Sequence, residues 1–339
     1  MKIRGYIYMI LISFCLSSCL KAFDLDLEDE PIIYLESFPG TESNSVSFWV
    51  EPGYSRSNTA LTPDFKPEIT FTVNGQEVPV QPVIVNSVVS ENGYIAYHSP
   101  QPGDKMSIQV TSEGFKTVYA ETTIPELFPD RRIDYYTADN GTRQINMISV
   151  TLDEAKGEYA YGLQILNEYS VMHPTDPYTR IYRSAGVDMY LDYDMAASTM
   201  QGIDIRIEGD YLSAWDGKIF DGNKAVMLLM PPTYGYGSYE SYEEFFPEEG
   251  ESIIYDEYGN ETGVYKYTDR NKLVLYTMTQ EFYKYKVAQE LIIDNASMFA
   301  GLAPVNFCYS NITNGYGAFA GVSIVETDWI TREFIENNR

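Results

Sequence analysis

The chain has 339 residues, with 49 acidic side chains against 23 basic ones and a formal net charge of −26. A body this acidic repels phosphate backbones, so nucleic acid is not expected among its partners. Two histidines and three cysteines supply too little imidazole and thiolate for Ser–His–Asp catalysis, His-rich zinc sites or a disulfide framework.

At the front, Lys2 and Arg4 precede a short apolar run that ends in Leu16-Ser17-Ser18-Cys19. A positive n-region and a short h-region make an export signal, too short for a spanning helix. A branched apolar residue three before a cysteine, with small residues between, is the pattern cut by the lipoprotein signal peptidase. Residues 1–18 are therefore expected to leave as a signal peptide, and Cys19 to carry acyl chains that anchor the chain without spanning the membrane. That leaves 321 of the 339 residues, and the charge of −26 becomes about −28 once Lys2 and Arg4 are gone. It also leaves Cys308 as the remaining thiol, read as a buried small hydrophobe in Val305-Asn306-Phe307-Cys308-Tyr309. Residues 19–30, with Asp24, Asp26, Glu28, Asp29 and Glu30, form an acidic tether.

Residues 31–126 read as short strands. Ile32–Leu35, Val46–Val50, Ile69–Val73, Tyr94–Tyr97, Met106–Val110 and Thr117–Thr122 are β-prone runs separated by turn residues. Asn74-Gly75, between Val73 and Val78-Pro79-Val80, is the strongest hairpin signal. About seven strands in this span suggest an immunoglobulin- or fibronectin-like sandwich, without the Cys…Trp…Cys framework of an antibody domain. Pro129-Asp130 is expected as a linker.

Residues 130–339 are expected to form a larger β-rich domain. Ala225–Met230 reads as a buried strand stopped by Pro231-Pro232. One amphipathic helix is predicted near 280–294, with Thr279 as N-cap, Glu281 in the first turn, and Phe282, Tyr285, Ala288 and Ile292 recurring at helical spacing. Between Tyr234 and Tyr267 lie eight tyrosines and nine acids with one lysine. One reading is a solvated hairpin extension. The other is a contact loop, since aromatics and acids on a loop are what recognition uses. On that second reading the contact residues are Tyr236, Tyr239, Tyr242, Glu243, Glu244, Phe245 and Phe246.

The chain carries no Walker A, GxGxxG, CxxC, HExxH or GxSxG motif. Asp192-Tyr193-Asp194 and Asp24-Leu25-Asp26 alternate oxygen ligands but lack the glycine and closing glutamate of a calcium hand. No catalytic residue, metal ligand or cofactor is assigned. A carboxylate pair for glycoside hydrolysis is not singled out, because 49 acids will place some pair at any chosen separation.

Several stretches resemble Bacteroidetes lipoproteins of the domain-of-unknown-function family 4249. Asp24-Leu25-Asp26-Leu27 with Pro31–Glu36 resembles the family's acidic tether and first strand. Gly103–Val110 and Tyr119–Pro125 resemble its last sandwich strands, Asp221-Gly222-Asn223-Lys224 one of its turns, and Thr279–Tyr285 its Tyr-rich helix. The most specific stretch runs from Tyr309-Ser310-Asn311-Ile312 through Asn314-Gly315 to Phe319-Ala320-Gly321. It resembles the family's closing signature, with Ala318 where isoleucine is usual. The middle segment Asp153–Tyr161 departs from the family pattern by lacking its asparagine. The glycines of the closing stretch read as turn or bulge positions, with Phe319 inserted into the core.

The resemblance implies an outer-membrane lipoprotein, often encoded beside TonB-dependent receptors, with no established reaction. An acidic stretch after the lipidated cysteine also resembles the surface-export signal of such lipoproteins. The expected function is that of a surface-exposed accessory to a TonB-dependent uptake system, anchored in outer-membrane lipid through Cys19. Its expected partners are a TonB-dependent receptor and a small-molecule, glycan or peptide ligand. The alternative is a non-enzymatic adhesin or structural surface lipoprotein. A carboxylate-dependent hydrolase is the least favoured reading.

Overall fold

The structure is a computed structural model. It describes residues 31–53, 64–129, 131–139, 144–152, 156–172, 177–184, 187–191, 199–201, 203–207, 210–219, 225–229, 248–255, 258–259, 261–294 and 309–330. The first strands are β1 Ile32–Ser37, β2 Val46–Gly53, β3 Glu68–Val73, β4 Gln76–Glu77, β5 Val80–Val85, β6 Val88–Ala96, β7 Lys105–Thr111 and β8 Val118–Thr123. There follow β9 Arg131–Asp139, β10 Gln144–Leu152, β11 Tyr159–Met172, β12 Tyr178–Ser184, β13 Val187–Leu191, β14 Thr199–Gln201, β15 Ile203–Ile207 and β16 Asp210–Asp216. A 3-10 turn at Gly217–Ile219 leads to β17 Ala225–Leu229, β18 Glu248–Tyr255 and β19 Glu261–Thr279. Helix α1 Gln280–Asp294, β20 Tyr316–Phe319 and β21 Val322–Glu326 complete the series. The fold is mainly β with one helix among the described residues, the class the sequence predicts.

Two sheets form the N-terminal sandwich, in orders β20-β1-β2-β6-β5 and β4-β3-β7-β8. Alternation along each strand builds its core. Ile33 and Leu35 of β1, Val46, Phe48 and Val50 of β2, and Met106, Ile108 and Val110 of β7 all point inward. Phe48 and Phe71 meet edge to face at 5.0 Å across the two sheets. Asn74-Gly75 makes the predicted hairpin, with Val73 opposite Gln76 and φ of 51° and 79°, the two positive angles of a type I′ turn. The returning strand is short. Val78 still donates to Phe71 at 2.9 Å, but Pro79 has no N–H to give, and from Val80 the chain pairs with β6 in the other sheet.

The chain just before the expected Pro129-Asp130 linker is packed, and Asp130 itself lies outside the described residues. Phe128 is buried against Tyr161, ring centroids 5.7 Å apart, and Ser323 donates to the Pro125 carbonyl at 2.6 Å. Beyond it, a seven-stranded sheet runs β15-β16-β11-β19-β18, with β12 also on β11 and β21 also on β19. A five-stranded sheet runs β14-β13-β17-β10-β9. The predicted strand at 225–230 is β17, between β13 and β10. The predicted helix is α1. The Phe282 amide donates to the Thr279 hydroxyl at 3.3 Å, so Thr279 is its N-cap. Phe282 and Tyr285 are buried, and Phe282 belongs to a second core with Leu212, Val274, Tyr276 and Met278.

Chain order and sheet membership part company at the C-terminal end. β20 lies far beyond residue 130, yet it pairs in parallel with β1 from Tyr34↔Tyr316 to Ser37↔Phe319. Phe319 then fills the sandwich core, while Ala320 and Val322 fill the core under α1. Consecutive residues of one extended segment thus close both cores, because alternating side chains point to opposite sides.

Candidate contact surface

Cys19 lies outside the described residues. So do Tyr236, Tyr239, Tyr242, Glu243, Glu244, Phe245 and Phe246, as well as Cys308 and Asp192-Tyr193-Asp194. The strands flanking the Tyr-rich segment are described. β17 ends at Leu229 in the five-stranded sheet, and β18 begins at Glu248, opposite Asp269 in the seven-stranded sheet. The later part of the segment, from Glu248 onward, is a β18–β19 hairpin, in keeping with the hairpin reading of that part.

β18 joins a long ribbon. β11 and β19 pair continuously from Tyr159↔Thr279 to Met172↔Lys266. Near Thr279 both faces are covered, and residues Ala160–Asn167, Asn271 and Leu273–Thr279 are buried. Two pairs of buried polar side chains bond to each other there. Asn167 donates to Asn271 at 3.1 Å, and the Tyr276 hydroxyl donates to Gln164 at 3.1 Å. Toward the other end the covering layers stop. Register places Met172, Val264, Ile253 and Ile181 on the face that α1 covers further along, and all four are exposed. Polar pairs lie among them: Lys266 with Glu251 at 3.4 Å, and Ser170 with Thr179 at 3.0 Å. Behind them Arg270 pairs with Glu168 at 2.6 Å and stacks over Trp329 at 4.0 Å. Lys272 pairs with Glu326 and reaches the same ring. The free end of the ribbon is therefore a mixed surface with an apolar strip and satisfied ion pairs, beside the point where the Tyr-rich segment rejoins the fold. Sequence reasoning missed it because no local pattern marks Met172, Ile181 and Val264 as neighbours. Only register brings them to one face.

Three polar clusters elsewhere have structural work. The hydroxyls of Tyr34 and Tyr285 both donate to one Glu36 carboxylate oxygen at 2.6 Å and sit 2.6 Å from each other. Burial, then the bond to Glu36, raises both phenol pKa values well above the ordinary 10.0, so the phenols keep their protons and fasten α1 to β1. His98, one of only two histidines, has Nε2 2.9 Å from Asp104 Oδ2. Asp104 also accepts from the Gln101 amide at 2.9 Å and Asn74 Nδ2 at 2.8 Å. Burial pushes the Asp104 pKa up, and the hydrogen bonds together outweigh it, leaving the pKa below the ordinary value. The cluster locks two turns together. No group of three or more His, Cys, Asp or Glu side chains able to hold a metal occurs among the described residues.

The third cluster is the closing Gly-rich stretch. Asn311 donates to the Phe319 carbonyl at 2.8 Å and accepts from the Phe319 amide at 3.0 Å. A Cβ on Gly317, at φ 112°, would sit 2.0 Å from the Leu35 carbonyl oxygen. Tyr316–Phe319 is a strand, with Gly317 at a positive φ within it and Phe319 in the core, where the sequence reading puts Phe319.

The fold defined by these elements is a β-sandwich joined to a larger β-rich unit carrying one helix, closed by a strand from the C-terminal region. A family profile described as a domain of unknown function (DUF4249) matches residues 21–328, and the chain belongs to that family. No curated protein and no solved structure matches the chain. No helix among the described residues is long and apolar enough to cross a membrane.

Proposed function

We propose that this protein is an outer-membrane lipoprotein, anchored through acylated Cys19, facing the cell exterior and serving a TonB-dependent uptake system. The observation that carries the reading is Leu16-Ser17-Ser18-Cys19 behind a short positive-then-apolar leader, with an acidic tether running to the first strand. The tether links the sandwich to the anchored cysteine, and the larger unit presents the ribbon end and the Tyr-rich segment to a partner. That segment supplies Tyr236, Tyr239, Tyr242, Phe245 and Phe246 as apolar contacts and Glu243 and Glu244 as polar ones. The mixed apolar and ion-paired character of the ribbon end supports a docking role, since such surfaces suit partners that bind and release.

The test is affinity purification of a tagged copy from gently solubilised outer membranes of the native host, followed by mass spectrometry. A stoichiometric TonB-dependent barrel is the expected companion. Recovery of the lipoprotein alone would overturn the uptake reading in favour of an adhesin. Alanine at Tyr236, Tyr239 and Tyr242 together should release the companion; retention would remove these residues from the contact.

A further inference from the structure

The hairpin of β5 and β6 extends with apolar side chains on both faces. Ile84 pairs with Val89 and Val85 with Val88. The Asn86-Ser87 turn between them has φ of 51° and 65°, which closes a two-residue loop tightly. Alternation sends the first pair to one face and the second to the other. All four are exposed, Ile84 and Val88 at 67%, Val85 at 58% and Val89 at 56%. From Val78 to Ser90 no residue is charged, in a chain whose net charge is −26.

Two features choose the occupant. A flat protein surface would cover one face of this hairpin and leave the other in water, whereas lipid surrounds both. Pairing with a second copy along β5, the sheet edge, is opposed by Pro82 and by the irregular register between Pro82 and Ile84. The second feature is direction. β1 begins at Ile32 opposite Gly53, β2 runs antiparallel to both β1 and β6, and β6 begins at Val88. The start of β1 and the hairpin turn are therefore at the same end of the sheet. Cys19 lies twelve residues before Pro31, a reach of at most about 40 Å. A membrane holding Cys19 is approached from the end that carries the hairpin.

We propose that the β5–β6 tip is a membrane-contact element that inserts Ile84, Val85, Val88 and Val89 into the interfacial layer of the bilayer holding Cys19. This rests on the lipid-anchor reading above. Glu91 is the first charged residue behind the tip on β6. It lies about 10 Å from Val88 at the strand rise of about 3.3 Å per residue, a depth comparable with the ~5–10 Å at which interfacial elements sit. The exposed Glu91 carboxylate stays in water. The acidic body is repelled by anionic lipid, so the contact is apolar and suits uncharged headgroups. Two anchoring signals, acyl chains and hairpin, would then orient the sandwich on the surface as well as retain it.

The test uses the processed lipoprotein reconstituted in phosphatidylcholine vesicles. An environment-sensitive fluorophore is placed at Val88→Cys or, at the other end of the sandwich, at Gln101→Cys, with the wild-type chain labelled identically as blank. Thermal unfolding checks that each variant folds. The expected result is a blue shift at position 88 that requires vesicles and is quenched by headgroup-proximal doxyl lipid, with none at 101. Val85→Glu should abolish the shift. The mass of the N-terminal peptide reports acylation of Cys19 independently. A water-like spectrum at 88 with Cys19 acylated overturns the hairpin inference alone. The same spectrum with Cys19 unmodified overturns both readings, and a lipid-dependent shift with Cys19 unmodified supports the hairpin and overturns the anchor. A shift without vesicles that grows with protein concentration means a second copy and also overturns it.

Discussion

Gly317→Ala is the sharpest perturbation of this fold. Gly317 has φ 112°, and an added Cβ would lie 2.0 Å from the Leu35 carbonyl oxygen, 2.8 Å from its carbon and 3.2 Å from its nitrogen. These are backbone atoms of β1, which pairs with β2 on its other side, so β1 cannot retreat. β20 must move instead, withdrawing Phe319 from the sandwich core. The positive φ alone costs about 1–2 kcal/mol for a residue with a Cβ. Withdrawing a buried Phe costs about 3–5 kcal/mol, and loosening the two Asn311 bonds about 0.5–1.5 kcal/mol each. Gly75 is the control. It too has positive φ, 79°, but nothing lies within 4 Å of its added Cβ. Urea unfolding followed by tryptophan fluorescence should show Gly75→Ala losing about 1–2 kcal/mol and Gly317→Ala at least about 4 kcal/mol. The larger loss is a substantial part of the ~5–15 kcal/mol that stabilises a typical domain. Equal losses for the two variants would refute the argument that close backbone approach, and not φ, makes Gly317 necessary.

Tyr285→Phe removes one donor to Glu36 and should cost about 1.5–3 kcal/mol, as for a bond to a charged group, measured by denaturant midpoint. Because burial and Glu36 raise the Tyr34 and Tyr285 pKa values, their contribution is complete below the unfolded value near 10.0 and is lost as the pH climbs above it. Absorbance titration should find two phenols that ionise only with unfolding, and stability of Tyr285→Phe should fall less steeply above that pH. Asp104 behaves oppositely. Its lowered pKa contributes stability above the unfolded carboxylate value of about 3.9 and loses it as pH falls, so Asp104→Asn should flatten the acid limb of a thermal-unfolding series. Thr279→Ala removes the α1 cap and should cost about 1 kcal/mol, with loss of helical signal confined to the first turn in amide exchange.

Local rules were enough for the elements whose cause is local. Asn74-Gly75 makes its turn because Asn and Gly accept positive φ at low steric cost. Thr279 starts α1 because its hydroxyl satisfies an otherwise unpaired amide. Val46–Val50 and Met106–Val110 were legible as strands from their β-prone residues, and both form strands of the sandwich. The Asn86-Ser87 hairpin was not recognised, since serine rarely accepts positive φ and no Asn-Gly or Asp-Gly pair marks the turn. The ribbon-end face was also invisible, because Met172 and Val264 become near neighbours only through strand register.

The sequence by itself determined the acidity, the β class and the helix, because each is written in composition or in adjacent residues. Only the tertiary structure decided that Phe128 packs against Tyr161, and that β20 crosses back to β1. It also decided that Phe319 and Ala320 close two different cores. Those outcomes depend on contacts such as Leu35 with Gly317, distant along the chain, and no local pattern of side chains encodes which strand will lie beside which.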